Sequence, residues 1–208
     1  PLPAAGRFDR VPDGGRVAVE RRNSVNSGEI WIADLAGGMA SRFVFDLGRN
    51  AYPVWSPDGQ AIAYSSNRAG PMELYVRRLD GSGQDDTLPR HGLSFVSPLE
   101  WSPDGRVMIL TSYELETSYD LWSLSMEGDR ALTPILQGLG NEGPAALSPD
   151  GRWLAYVSDQ SGGAQFYVQS FPVPGQRRQI SAQGTSNNAS FPPPVWLQGG
   201  KQIAYLGP

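Results

Sequence analysis

The chain has 208 residues, 39% of them hydrophobic, with 25 glycines and 18 prolines, a composition rich in turn formers. Its net charge of −4 and pI near 5.0 count against a nucleic-acid or other polyanion partner, and the lack of cysteine removes disulfides and thiolate metal sites. No apolar run approaches the roughly 18 residues of a membrane-spanning helix, which argues against membrane insertion, and the start lacks a charged-then-apolar export pattern, so an export address would lie outside these residues.

The first punctuation is Val11-Pro-Asp-Gly14, which places the innermost strand of a first sheet at about residues 7–10. Segments 16–22, 29–35 and 41–46 read as its remaining strands. Trp55-Ser-Pro-Asp-Gly59 then gives the turn in full. Proline fixes φ at the second position, aspartate bonds backbone two residues on, and glycine accepts a positive φ. The run 61–65 that follows is short, apolar and rich in β-formers, with no helical spacing; a polar bend, a strand over 72–76 and one ending near Leu88 complete the copy. Trp101-Ser-Pro-Asp-Gly105 opens the next, with strands at 107–111, 119–123 and one ending near Leu136. Leu147-Ser-Pro-Asp-Gly151 opens another, with 153–157, 165–168 and one ending near Ile180. The last copy has 191–196, the turn Gln198-Gly-Gly200 and 202–206, and its other two strands are missing.

Asp13 and Asp58 are 45 residues apart, and each of the next two intervals, to Asp104 and Asp150, is 46. Four short strands per fixed period is the signature of a propeller blade. The expected fold is all-β, one β-propeller domain over 1–208, of about five four-stranded antiparallel blades at 7–48, 51–90, 94–138, 143–183 and 189–206, the last incomplete. An incomplete blade leaves a sheet edge open to another strand. Residues 1–10 are expected to close it within the chain, or the edge serves self-association, or the chain is a fragment of a longer array.

The order W-S-P-D-G, then I-A-Y-x-S, then G-x-x-x-L-Y-V resembles the TolB-type propeller repeat, a relative of the WD40-like blade. The second half, with Asn141-Glu-Gly-Pro144, residues 147–158, Phe171-Pro-Val-Pro-Gly175 and Gln179-Ile-Ser181, is similar to the propeller region of some bacterial receptor-like serine/threonine kinases, although nothing resembles the kinase itself. The resemblance implies a periplasmic or extracellular place and a role in binding a small molecule or a protein segment.

The repeated Asp residues are explained by their turn, and Trp31, Trp55, Trp101, Trp122, Trp153 and Trp196 read as fillers of the wedge between blades. Ligand contacts in a propeller come from the residues just before each turn, where inner strands enter the channel. These are Asn50, Ala51 and Tyr52, then Ser94, Phe95 and Val96, then Asn141, Glu142 and Gly143, and last Asn187, Asn188, Ala189 and Ser190, expected to converge on one mouth. Their oxygens suit a polar ligand or calcium, a hard cation, with Glu142, Asn141 and Glu100 as metal ligands. Glu100 stands where other copies have Val54, Ala146 and Val195, and alternation points it away from Trp101. No G-x-S-x-G, H-E-x-x-H or phosphate-loop motif occurs, and His91 is the one imidazole. A binding module is therefore the leading expectation. The rival is a calcium-dependent lactonase or esterase, with Glu142, Glu100 or His91 activating water.

Overall fold

In the computed structural model, which describes residues 5–24, 26–182 and 192–206, every S-P-D-G segment closes through the same bonds. The Ser56 hydroxyl donates to Asp58 Oδ1 at 2.5 Å and accepts from the Ala61 amide at 2.9 Å, while the Gln60 amide donates to Asp58 Oδ1 at 3.0 Å. Gly59 supplies the positive φ, +65°. Ser102 with Asp104 (2.6 Å) and Val107 (2.9 Å), and Ser148 with Asp150 (2.5 Å) and Trp153 (2.9 Å), repeat the arrangement. The serine hydroxyls foremost, then the turn amides, hold Asp58, Asp104 and Asp150 below the usual carboxylate range. In the worn first copy Val11 takes the place of the serine, and the Asp13–Gly15 amide bond persists at 2.8 Å.

The chain divides into two compact units, 1–101 and 102–208. In unit one, β1 (Ala5–Arg10), β2 (Arg16–Ser24), β3 (Ser27–Asp34) and β4 (Ala40–Val44) form one sheet in chain order. A second sheet holds β5 (Asn50–Trp55), β6 (Ala61–Ser66), β7 (Glu73–Arg78) and β8 (Asp85–Leu88), and β9 (Phe95–Trp101) ends the unit. Pairing in both sheets is antiparallel. Their core joins Val11, Ala18, Ile30 and Val44 from the first to Trp55, Ile62, Tyr64 and Tyr75 from the second. Strand β6 is buried at all six residues, as a strand covered on both faces must be, so it is apolar up to its terminal serines.

Unit two begins with β10 (Val107–Glu114), β11 (Ser118–Ser125) and β12 (Leu132–Leu136), antiparallel neighbours in chain order. Strands β13 (Glu142–Leu147), β14 (Trp153–Ser158), β15 (Gln165–Ser170) and β16 (Arg178–Gln179) form a four-stranded antiparallel sheet, and β17 (Val195–Leu197) with β18 (Gln202–Ala204) a two-stranded one. The last pair is anchored by Trp196 Nε1 donating to the Ala146 carbonyl at 3.0 Å and by Tyr205, whose hydroxyl donates to the Ile180 carbonyl at 3.1 Å. The Tyr205 ring lies 4.5 Å from that of Phe166, which adds apolar contact to the polar anchor.

Two expectations are corrected. Residues 5–10 are not spare for closing the last blade, because the ladder Phe8↔Val19, Asp9↔Ala18, Arg10↔Val17 makes them the inner strand of the first sheet. Nor are all six tryptophans wedge fillers: Trp55 is 3% exposed, but Trp153 is 44% exposed and the other four are half-buried. Trp153 follows the turn as the first residue of β14, whereas Trp55 precedes it as the last residue of β5.

Candidate functional site

In unit one three inner strands contribute to one lining. Tyr52 of β5 has φ +57°, an unusual value for a residue with a side chain, at an irregularity in the β5–β6 register between Ala51 and Val54. Its ring meets that of Phe95, from β9, edge-to-face with centroids 6.1 Å apart. Arg49 lies over the Tyr52 ring at 5.3 Å and donates to its hydroxyl at 3.1 Å. Glu20 of β2, fully buried, accepts from Arg22 Nε at 2.7 Å and pairs with Arg49 at 3.7 Å, and the Tyr52 amide donates to it at 3.4 Å. Arg7 of β1 completes the lining. Burial lowers its pKa, partly offset by attraction to Asp9, Tyr52, Glu100 and Glu20, and among the described residues its guanidinium makes one long hydrogen bond, 3.4 Å to the Leu99 carbonyl.

Of the predicted residues in this unit, Tyr52 and Phe95 therefore meet, and Glu100, partly buried, is near enough to act electrostatically on Arg7. Asn50 instead turns into the structure, its Nδ2 donating to the Gly28 and Asp46 carbonyls, each at 3.0 Å. His91 and Ser94 are exposed in the loop that enters β9. Sequence reasoning missed Arg7, Glu20 and Arg49. Arg7 could have been found: it stands three residues before Arg10 as Tyr52 stands three before Trp55, so aligning the worn first copy puts it at the same channel position.

In unit two Asn141 is held on every side. Its amide and Nδ2 donate to Asp159 at 2.6 and 2.7 Å, and its Oδ1 accepts from Ser118 Oγ at 2.6 Å. The same pin occurs in unit one, where the Arg49 amide donates to Asn67 Oδ1 at 2.7 Å. The glycine before the unit-one pin is required, since Gly48 has φ +106° and a Cβ there would lie 2.6 Å from Asn67 Oδ1; a Cβ at Gly140 would be crowded, 3.0 Å from Asp159 Oδ1. Asn141 thus serves the loop rather than a ligand. Asn187 and Asn188 lie outside the described residues.

Glu142, 2% exposed, begins β13, and its Oε2 has no hydrogen-bond partner. Burial pushes its carboxyl above the ordinary range; Ser158 and Arg177 oppose this, and Asp159 and Asp120 add to it. Beside it Tyr156 is pushed up to about 12 by burial. The Arg177 guanidinium sits 3.6 Å above the neighbouring Tyr167 ring. Because the folded pKa of Glu142 exceeds its unfolded value near 4.3, its contribution to stability is lost as pH rises from about 4 through the folded pKa. Glu142→Gln is therefore expected to be more stable than the parent by about 1 kcal/mol at pH 7 and no more stable at pH 3, as read from urea unfolding at both pH values.

Among the described residues no three histidine, aspartate or glutamate side chains are grouped to hold a metal ion. The residues present therefore do not fit the expected calcium site: Asn141 is engaged by Ser118 and Asp159, and Glu142 offers one oxygen.

No protein-family model matches the chain. It is 30% identical over 139 residues to the Agrobacterium fabrum protein Atu1656, covering 62% of this chain and 46% of that one. It is 31% identical over 142 residues to a tricorn protease homologue of Streptomyces coelicolor, covering 65% of this chain and 13% of the relative, so it spans less than half the length of either. Among solved structures, TolB from Acinetobacter baumannii superposes with a TM-score of 0.73 at 20% identity, over 95% of this chain and 48% of that one, a likeness of fold.

Proposed function

We propose that this chain, a TolB-like β-propeller, is a binding module that takes a carboxylate-bearing or carbonyl-rich segment of a small molecule or protein against the inner-strand lining of unit one. The observation that carries this reading is the convergence of Arg7, Tyr52 and Phe95 from β1, β5 and β9. A partly buried guanidinium with one long bond has donor capacity for an anionic oxygen, and an adjacent edge-to-face aromatic pair offers apolar surface around it. An NMR titration of the chain with peptides ending in a free carboxylate, against the same peptides amidated, tests the reading. Shifts centred on Tyr52 and Phe95, with affinity at least tenfold weaker for Tyr52→Ser or for the amidated peptides, are expected. Equal binding by parent and variant would refute it.

A second reading, hydrolysis, draws on the buried Glu142 with its raised pKa and on the likeness to a protease homologue. Chromogenic esters and acyl lactones, screened with and without chelator, decide between the two. Turnover lost in Glu142→Gln would support a hydrolase, and chelator-sensitive turnover would make it metal-assisted; the binding reading expects no turnover in any arm.

A further inference from the structure

Ten residues after each turn serine stands another serine, Ser66, Ser112 or Ser158, each buried. Strands β6 and β14 stop there. Strand β10 continues to Glu114 and β11 starts at Ser118, which adds the pairs Tyr113↔Tyr119 and Glu114↔Ser118 and lengthens this hairpin by about 7 Å. The extension carries apolar groups into solvent: Leu115 is 92% exposed, and the half-exposed rings of Tyr113 and Tyr119 lie 5.0 Å apart. The loop bearing Leu139, also 92% exposed, is stapled to the hairpin on both sides, by the Gly138 amide donating to Asp120 at 3.3 Å and by the Ser118–Asn141 bond. Asp120 is fully buried and accepts from Thr117 Oγ1 at 2.5 Å, so the tip is fixed from within.

Nothing in the folding of a β-hairpin requires this apolar tip, and exposing it costs solubility. The corresponding bends in the neighbouring copies, 67–71 and 159–164, contain glycine and no large apolar residue. The charge is also one-sided. Glu114 and Glu116 alternate with Tyr113 and Leu115, and from residue 107 to 129 and again from 131 to 151 there is no lysine or arginine. The hairpin tip thus carries apolar groups on one face and acidic groups on the other, close enough for a segment that alternates apolar and basic residues to engage both along its edge, whereas an anionic lipid surface would be repelled.

We propose that the β10–β11 tip with the Leu139 loop is a docking surface for an extended protein segment in which lysine or arginine alternates with leucine or aromatic residues. The test is fluorescence anisotropy of a labelled, end-blocked peptide alternating lysine with leucine, titrated with the intact chain at low and moderate salt. A matched peptide with glutamate for lysine is the control. The basic peptide should bind and the acidic one should not. Affinity should fall at least tenfold in L115S/L139S, and E114Q/E116Q should lose most of the salt dependence. Both leucines are almost fully exposed, so the leucine variant should melt with the parent. Equal binding of the two peptides, or undiminished binding by L115S/L139S, would overturn the proposal. So would sedimentation showing parent dimers that L115S/L139S dissolves, since the tip would then belong to a second copy.

Discussion

Replacing Asp85 with alanine is expected to lower the unfolding free energy by about 3 kcal/mol, the low end of the range for breaking a buried ion pair, because two partly buried guanidiniums lose one of the two carboxylates they share. Arg77, 8% exposed, donates to Asp85 through Nε at 2.9 Å and through Nη2 at 2.7 Å. It also reaches Asp46 at 3.0 Å and the Phe43 carbonyl at 3.0 Å. Arg68 pairs with Asp85 at 2.9 Å while lying 3.8 Å over the Tyr75 ring, and the Tyr64 hydroxyl donates to Asp85 at 2.7 Å. One carboxylate thus accepts from three side chains; removing it leaves the Tyr64 hydroxyl without its acceptor and both guanidiniums sharing Asp46 alone, which Arg68 also reaches at 2.7 Å. Asp85→Asn should be milder, since the amide oxygen still accepts one of these bonds, yet its NH2 faces donors.

The pH dependence has a definite sign. Burial alone would raise the pKa of Asp85, but the Arg77 and Tyr64 hydrogen bonds and the two guanidinium charges outweigh it and hold the carboxyl below its ordinary value. The stability it contributes is present above its unfolded pKa near 3.9 and is lost as pH falls through the folded one. Urea unfolding at pH 7 and pH 3 should show the gap between parent and Asp85→Ala narrowing at the lower pH. An equal gap at both would show that packing rather than charge accounts for the loss.

Trp55→Ala is expected to cost about 3–5 kcal/mol, the range for emptying a large buried aromatic site. Its ring is 3% exposed and packs in the core of unit one with Val11 and Ile62, with the Arg16 guanidinium 4.9 Å from the ring. The indole N–H is buried without a hydrogen-bond partner, so Trp55→Phe removes an unsatisfied donor along with some volume and should cost less than half as much. Trp153→Ala provides the contrast. Although Trp153 also adjoins an S-P-D-G turn, it is 44% exposed, and its loss should shift thermal unfolding by the equivalent of about 1 kcal/mol or less. If both alanine variants melt together, the two tryptophans are equivalent after all.

Legibility differed sharply between scaffold and site. The S-P-D-G turns, the strands around them and the structural role of Asp58, Asp104 and Asp150 could all be read in advance, because each depends on chemistry within about five residues. Even there the turn serine went unread, since its hydroxyl bridges the aspartate and the amide that starts the next strand, a contact visible once the turn has closed. At the candidate site, residue type misled at Asn141 and told only half of the story at Asn50. Both spend their amide nitrogens on neighbouring loops, and the Asn141 oxygen accepts from Ser118, whereas the Asn50 oxygen is buried without a hydrogen-bond partner.

Repeat period, turn chemistry and β-patterning, all local properties, determined from the sequence alone that this protein is a propeller of antiparallel sheets. The tertiary structure alone chose between the two places that the sequence offered residues 7–10, the inner edge of the first sheet and the open edge of the last, and alone showed that Glu20 meets Tyr52 near Arg7 and that Glu142 is buried with an oxygen unpaired. Which strand edge a segment joins, and which charged side chain loses its water, depends on residues many tens of positions away. The energy of those encounters comes from desolvation and packing, which no local pattern encodes.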